Sequence, residues 1–283
     1  MKNWILTCSL SLLSLFSYAQ HSEVGLMIGA SVYQGDLTPS SVWSSFGETH
    51  VAYGAFYRYN VNDFVAIRLG LTQGTISGDD SNANEEGRAV RNLSFESPVT
   101  ELSLTGEFNI LGYQPYALSR PFSPFVFGGI AVFRFNPKAE LNDEWYRLQP
   151  LGTEGQRLPD SDKSPYKLTQ ISIPFGFGFK YAINDTWNIG FRIGSRYTFT
   201  DYLDDVSSTY VADAVWVERG EEITGQLANR SDFAKVGGEV RGNTNNKDWY
   251  LMGGFTVSYN FLDNGLAGFR NRNRRSKSGC PTF

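Results

Sequence analysis

The chain has few of the residues on which most enzyme and metal sites are built. It contains only two histidines, His21 and His50, and two cysteines, Cys8 and Cys280. It has no Gly-x-Ser-x-Gly nucleophile motif, and no set of His, Cys, Asp or Glu has the spacing of metal ligands. These absences argue against a serine hydrolase or a metalloprotein. We expect a protein without catalytic residues, metal or cofactor.

Long apolar runs are also scarce. Residues 1–19 have the features of a secretory signal peptide, with Lys2 as the charged start, an apolar stretch over 4–16 and a small-x-small cleavage site at 17–19. No later segment approaches the roughly 18 consecutive apolar residues of a membrane helix. The exported chain is therefore expected to be soluble or to cross a membrane as a β-barrel.

The net charge is small, at -4, which gives no indication of a nucleic-acid partner. Its distribution is uneven. The residues after Leu262 contain five bases and one acid, a balance of +4, and this leaves -8 for the preceding residues. We expect a basic tail over 263–283 that differs from the rest of the chain.

Eight segments alternate apolar and polar residues with the period of a β-strand. Their predicted bounds are 23–34, 50–60, 64–76, 99–111, 123–135, 167–181, 187–199 and 248–261. The connections between them run long, short, long, medium, long, short, long. Strands of 11 to 15 residues exceed the roughly 5 to 6 residues typical of soluble sheets, and they suit a tilted membrane crossing of about 9 to 11 residues.

These features favour a barrel over a soluble β-sandwich. An even strand number and alternating long and short connections are typical of outer-membrane barrels. The predicted fold is all-β, an eight-stranded antiparallel transmembrane barrel over 20–262. It would contact outer-membrane lipid and have short periplasmic turns, long extracellular loops and both termini in the periplasm.

Charged side chains are predicted on the inward faces of these strands. In the fifth strand, Phe125 and Phe127 share one face and Arg134 the other, which is assigned to the interior. The predicted interior charges are Glu23, Arg58, Arg68, Glu101, Glu107, Arg134, Lys180, Arg192 and Arg196. Because an eight-stranded barrel is only wide enough for side chains to fill, we expect ion pairs that close the interior. A narrow anion path or a ligand niche is the alternative.

One catalytic arrangement stays open at the barrel rim. His50 lies at the outer end of the second strand, and Asp36 or Asp79 would have to approach it to form an acid-base pair. A single histidine at a rim is more often a surface residue, so the prediction remains a non-enzymatic protein.

The tail ends in an unusual sequence. Cys280 is the single cysteine left after removal of the signal peptide, and an unpaired thiol in an exported protein indicates an intermolecular disulfide or a free reactive group. A solvated basic end is one interpretation; docking on an acidic partner with an apolar pocket is the other. The residues predicted to bind the partner are Arg270, Arg272, Arg274, Arg275, Lys277, Cys280, Pro281 and Phe283.

Three segments give the chain a family resemblance: Tyr-Gln-Gly-Asp-Leu at 33–37, Ile-Pro-Phe-Gly-Phe-Gly-Phe-Lys-Tyr at 173–181 and Cys-Pro-x-Phe at 280–283. With them the chain resembles the PorG family, the barrel component of the type IX secretion system, which also serves gliding motility. The resemblance implies a non-enzymatic outer-membrane protein that associates with a periplasmic ring of PorK or GldK lipoprotein and PorN or GldN. Contact between the ring and the basic tail is our own hypothesis from topology.

The alternative is a small OmpA-like porin or adhesin barrel that acts through its extracellular loops. Deletion of 265–283 would abolish ring association under the first hypothesis. Trimming of 200–247 would matter under the second.

Overall fold

A computed structural model describes residues 22–38, 47–82, 86–115, 119–244 and 246–261. The predicted signal peptide and the basic tail, with all its proposed partner-binding residues, lie outside these ranges.

Eight long strands form a closed antiparallel barrel. In chain order the strands are β1 (Ser22–Gln34), β2 (His50–Asn60), β3 (Val65–Asp79), β4 (Ser94–Asn109), β5 (Phe122–Arg134), β6 (Lys138–Leu141), β7 (Glu144–Arg147), β8 (Thr169–Ala182), β9 (Trp187–Thr198) and β10 (Trp249–Asn260). The barrel strands are ordered β3-β2-β1-β10-β9-β8-β5-β4, and pairing of β3 with β4 closes the ring. The short β6–β7 hairpin attaches to β4 through the pair Glu96 and Lys138. The predicted eight-stranded fold is confirmed.

Alternation along each strand gives the barrel an apolar outside. Leu26 and Ile28 of β1 and Phe255 of β10 are each about two-thirds exposed, while their neighbours in the sequence face inward. Such a band of exposed apolar side chains around a barrel suits contact with lipid.

Two tight turns at one end of the barrel, the turn end, have the same construction. The Oδ1 atom of Asn62 accepts hydrogen bonds of 2.9 Å from the amides of Phe64 and Val65. The Oδ1 atom of Asn184 accepts bonds of 2.8 Å from Thr186 and Trp187. Asparagine in this position replaces a backbone acceptor and starts the next strand. Both turns were expected from the sequence.

The long connections fold together at the opposite end, the loop end. They contain a 3-10 turn at Asp80–Asn82 and four short helices: α1 (Glu86–Arg91), α2 (Leu148–Leu151), α3 (Asp213–Arg219) and α4 (Glu222–Ala228). We call this part the cap; it comprises the described residues of 35–49, 80–93, 135–168 and 199–248. In the described ranges, no helix is sufficiently long and apolar to span a membrane.

The cap and the loop end of the barrel share one apolar core. Leu37, Phe135 and Leu203 of the cap belong to the same buried cluster as Tyr33 and Met252 of the barrel. The cap is therefore packed onto the barrel.

The prediction for the fifth strand is wrong in phase. Phe125, Phe127 and Phe133 of β5 face the interior, while Arg134 is exposed on the outer face. Arg134 is the last residue of its strand, at the loop end, where its guanidinium reaches solvent without crossing the apolar band. Burial of the aromatic rings therefore determines the phase of the strand, and Arg134 is not an interior charge.

The strands also extend further at the loop end than predicted. β3 continues to Asp79 and pairs with β4 from Ser94 onward, five residues before the expected start. This extension lengthens the β3–β4 pair at the loop end and provides the attachment point for the β6–β7 hairpin.

Candidate functional site

The barrel interior is organised around Glu107 of β4. Its Oε2 atom lies 2.9 Å from Nε of Arg58 and 2.8 Å from Nζ of Lys180, and its Oε1 atom lies 3.2 Å from Nη1 of Arg192. All four side chains are at least nine-tenths buried. One carboxylate thus neutralises part of the charge of three bases from three other strands.

Glu23 of β1 completes this group towards the turn end. Its Oε2 atom is 2.7 Å from Nη1 of Arg58 and accepts a 2.9 Å bond from the Ser258 hydroxyl. Its Oε1 atom accepts a 2.8 Å bond from Nδ2 of Asn60. Both oxygens are occupied, as a buried carboxylate requires.

A separate ion pair lies nearer the loop end. Nε of Arg196 is 3.1 Å from Oε2 of Glu101, and the Tyr250 hydroxyl donates a 2.8 Å bond to the same oxygen. Arg196 also donates a 2.9 Å bond to the carbonyl of Met252. The pair therefore ties β9 to β4 and β10.

Arg68 of β3 differs from these side chains. It is 5% exposed, and within the described residues it forms no ion pair and its Nη1 atom has no hydrogen-bond partner. Its guanidinium carbon lies 3.9 Å from the ring centre of Phe56, and that of Arg192 lies 3.5 Å from the ring centre of Phe127. Aromatic faces thus cover both guanidinium groups.

Glycines in β8 and β9 make room for those rings. A Cβ atom at Gly194 would lie 2.4 Å from Cζ of Phe127, and one at Gly178 would lie 2.7 Å from Cζ of Phe125. Side chains at these positions would displace the rings that pack beneath Arg192 and Lys180. The alternation of glycine with outward aromatic residues in β8 therefore has a function inside the barrel.

Aromatic side chains close the barrel at the turn end. Tyr113, from the β4–β5 connection, is 1% exposed, and Nζ of Lys180 lies 5.0 Å from its ring centre. The same nitrogen lies 4.8 Å from the ring centre of Phe125. The apolar core beneath the cap covers the opposite end. The ionic interior is thus enclosed from both sides.

Arg91 connects three loops of the cap. Its Nε and Nη2 atoms lie 2.7 and 2.8 Å from the carboxylate of Asp80. It also donates to the carbonyls of Asp36, at 2.9 Å, and Arg241, at 2.6 Å. Guanidinium geometry suits this task, because its donors point in several fixed directions.

Glu154 is the second polar connection in the cap. It is 3.1 Å from Nη1 of Arg241 and accepts bonds of 2.9 and 3.0 Å from the amides of Ser207 and Ser208. Burial works against the charged form, but Arg241 and the serine donors outweigh it and hold the pKa of Glu154 below its ordinary value. The segments 153–156 and 205–208 are joined in this way.

For three aspartates in the cap, Asp204, Asp205 and Asp248, the opposing contacts do not outweigh burial. The Tyr33 hydroxyl lies 2.7 Å from Oδ2 of Asp204 and 2.9 Å from Oδ1 of Asp248. Its single proton satisfies one of the two, so the contacts require a second proton on a carboxyl group. Burial raises the pKa of Asp204 and of Asp248 well above its ordinary value, and it raises the pKa of Asp205 to about 6.

A groove opens on the outer surface of the cap. It has a volume of about 480 Å3 and runs between α3, α4 and residues 231–234. Trp216 forms part of its wall and is buried, and its Nε1 donor has no partner among the described residues. The carboxylates of Asp213, Glu222 and Asp232 lie along the groove.

Large apolar side chains are exposed on the cap, and two of them, Val217 and Phe233, line the groove. The exposed fractions are 68% for Val217, 64% for Phe233, 84% for Val236 and 78% for Val240. They belong to the cap and not to the apolar band of the barrel. Exposed apolar clusters with a polar surround are typical of interaction sites.

The structure separates the residues proposed from the sequence into three groups. Glu23, Arg58, Arg68, Glu101, Glu107, Lys180, Arg192 and Arg196 lie inside the barrel. Arg134 lies outside it, and the tail residues lie outside the described ranges. The groove was not predicted from the sequence. One signal was present: Gly220 is a helix stop signal, and it ends α3 with φ of 71°.

The rim histidine is part of a structural contact. Nε2 of His50 lies 2.7 Å from the Ser77 hydroxyl. Asp36 accepts a 2.7 Å bond from the amide of Asn243. In the described ranges no group of three or more His, Cys, Asp or Glu residues is arranged to hold a metal ion.

Several solved structures of low sequence identity are similar to this chain. The N-terminal β-barrel domain of Pseudomonas aeruginosa OprF is 13% identical with a TM-score of 0.37, over 86% of this chain and 98% of that one. Neisserial surface protein A is 9% identical with a TM-score of 0.42, over 85% and 97%. Yersinia pestis Ail in complex with the heparin analogue sucrose octasulfate is 10% identical with a TM-score of 0.34, over 83% and 97%.

Among curated proteins none matches this chain. A family model does match it, over residues 2–214, and its description is a domain of unknown function, DUF6089. The matched part includes seven of the eight barrel strands, with their interior charges, and the first segments of the cap. The chain therefore belongs to the DUF6089 family.

Proposed function

We propose that this protein is a non-conducting outer-membrane barrel that binds a partner on the cell surface through its cap. The observation that carries the proposal is the groove beside Trp216, bordered by exposed Phe233 and Val217, on a cap that is otherwise packed around a core. A barrel that functions only in the passage of solutes does not need such a surface.

The enclosed interior supports the first part of the proposal. Tyr113 lies across the turn end, and the apolar core lies across the loop end. Between them, Glu107 and its three bases occupy the barrel. We expect the purified protein to show no ion conductance in planar bilayers; stable single-channel currents would contradict a closed interior.

The chemistry of the groove indicates the partner. Carboxylates of Asp213, Glu222 and Asp232 lie beside apolar walls, so a protein segment with a basic residue next to apolar residues is complementary to it. No catalytic step is part of this function.

Peptide selection tests the site directly. A phage-displayed peptide library is selected against the full chain in nanodiscs, and the selected peptides are compared on the wild-type protein and two variants. We expect peptides with Lys or Arg beside apolar residues, and at least a tenfold loss of binding to the Glu222→Gln, Asp232→Asn double variant. Glu218→Gln is the matched control, because Glu218 is exposed on α3 but does not line the groove. Peptides without bases, or equal binding to all three proteins, would contradict the proposal.

A second proposal rests on the tail sequence alone. Five bases and Cys280 follow the last barrel strand, which favours a partner in the periplasm and agrees with the resemblance to PorG. In this proposal the tail docks on the PorK or GldK and PorN or GldN ring. Affinity purification of the full chain and of a chain lacking 265–283 separates the two: loss of ring proteins with the tail supports docking, and peptide binding to the cap should not change.

A further inference from the structure

The charged groups inside the barrel do not balance. The described barrel strands bury five bases, Arg58, Arg68, Lys180, Arg192 and Arg196, against three acids, Glu23, Glu101 and Glu107. The difference is two positive charges. Arginine does not lose its proton in a protein, and an uncompensated charge in a medium of low dielectric constant is costly. The interior therefore needs negative charge that its own strands do not supply.

The deficit is localised at Arg68. Arg58, Lys180, Arg192 and Arg196 each contact a carboxylate, whereas Arg68 contacts none among the described residues. Arg58 is its direct cross-strand neighbour, and like charges in that position repel. Arg192 and Arg196 add to the positive field at Arg68, and Glu107 is the carboxylate that opposes it.

The strand next to Arg68 carries a hydroxyl group directly opposite it. Thr105 is its cross-strand neighbour on β4, and Nη2 of Arg192 donates a 3.3 Å bond to the Thr105 hydroxyl. The hydroxyl proton of Thr105 and the free Nη1 donor of Arg68 thus lie on neighbouring strands. The Phe56 ring covers one face of the Arg68 guanidinium, so an anion would approach its edge, where the N–H donors are.

We propose that the barrel holds a halide-sized inorganic anion at Arg68, with Arg192 and the Thr105 hydroxyl as further ligands. A small anion suits the position, because an eight-stranded barrel is nearly filled by its own side chains. The site is independent of the cap groove and of the tail. The anion neutralises the excess positive charge of the interior. This neutralisation enables three bases to lie around Glu107.

Bromide diffraction tests the position. The full chain is refolded and crystallised in sodium bromide, so that the anion enters before the barrel closes, and anomalous scattering is measured at the bromine edge. We expect a peak in contact with the Arg68 guanidinium that is absent from Arg68→Met. No peak there, or an Arg68 paired with a carboxylate from residues 262–283, would overturn the proposal.

Unfolding in solution tests the energetics. Urea unfolding in detergent is compared in sodium chloride and sodium gluconate of equal ionic strength. At a chloride concentration 100 times the dissociation constant, the unfolding equilibrium constant should fall about a hundredfold. Arg68→Met should remove this difference, and Arg134→Met should retain it, since Arg134 is exposed on the outer face. Equal chloride dependence in all three proteins would overturn the proposal; if Arg68→Met does not fold, the bromide peak in the wild-type protein decides.

Discussion

The barrel and the cap both have polar interiors, but their charge excesses are opposite. The barrel strands bury five bases and three acids. The cap buries one base, Arg241, with the half-buried Arg88 and Arg91 nearby. Its buried acids are Asp80, Glu154, Asp201, Asp204, Asp205 and Asp248.

The barrel and the cap compensate their excess charge in different ways. Arginine keeps its proton, so the barrel has to recruit an anion from outside its strands. Aspartate can gain a proton, and burial raises the pKa of Asp204, Asp205 and Asp248 in the cap. The barrel is therefore expected to depend on ions and the cap on pH.

The largest effect is expected from Glu107→Gln. It leaves Arg58, Lys180 and Arg192 without their common carboxylate, and removal of one partner from a buried ionic group costs about 3–5 kcal/mol. Urea unfolding in detergent, followed by tryptophan fluorescence, measures the change in the free energy of unfolding.

The matched control is Glu96→Gln. Glu96 pairs with Lys138 at 3.1 Å, but both side chains are 32% exposed, and such a pair contributes about 0–1 kcal/mol. Similar decreases in the free energy of unfolding of the two variants would show that Glu107 and its bases stabilise the protein no more than a surface pair does.

An intermediate effect is expected from Arg91→Met, and it should be confined to the cap. The substitution removes the bonds to Asp80 and to the carbonyls of Asp36 and Arg241. Hydrogen bonds to charged groups contribute about 1.5–3 kcal/mol. We expect faster proteolytic cleavage within the cap and an unchanged heat-dependent gel mobility of the barrel.

Arg219→Met is the control, because Arg219 pairs with Glu221 on the surface, where both are more than one-third exposed. Two outcomes would contradict an effect confined to the cap. One is loss of the folded-barrel band on the gel in Arg91→Met, and the other is cap cleavage as slow as in Arg219→Met.

The barrel was predictable because its information is local. Alternation with a period of two identified the eight strands and the short connections, in which Asn62 and Asn184 form the tight turns. Arg134 was assigned to the wrong face because β5 has large apolar residues on both faces, such as Phe127 inside and Val126 outside. A charged residue alone did not determine the phase there.

The cap was not predictable in the same way. Its contacts join residues far apart in the chain: Arg91 reaches Arg241, 150 positions away, and Tyr33 reaches Asp248, 215 positions away. No periodic pattern encodes such pairs. The sequence showed the interior charges but not that Arg68 would remain without a carboxylate, because pairing depends on the order of the strands around the barrel.

The smallest effect is the pH dependence of the cap. Burial raises the pKa of Asp205 from 3.8 to about 6, although Arg241, Thr153 and Tyr166 oppose the shift. The folded cap thus binds a proton more tightly than the unfolded chain. The resulting stabilisation is complete below pH 3.8 and is lost as the pH rises through about 6. The cap should be more stable at pH 5 than at pH 7.5.

Hydrogen exchange of the amides in 199–212, corrected for intrinsic exchange rates, measures this stability, with the β9 and β10 amides as an internal reference. Protection in the cap should fall between pH 5 and pH 7.5, and Asp205→Asn should make the fall smaller. Asp160→Asn should not, because Asp160 is an exposed aspartate of the same cap. If protection instead rises with pH, the buried aspartates are ionised in the folded protein. The acid excess would then need cations, and the cap would resemble the barrel in requiring counter-ions.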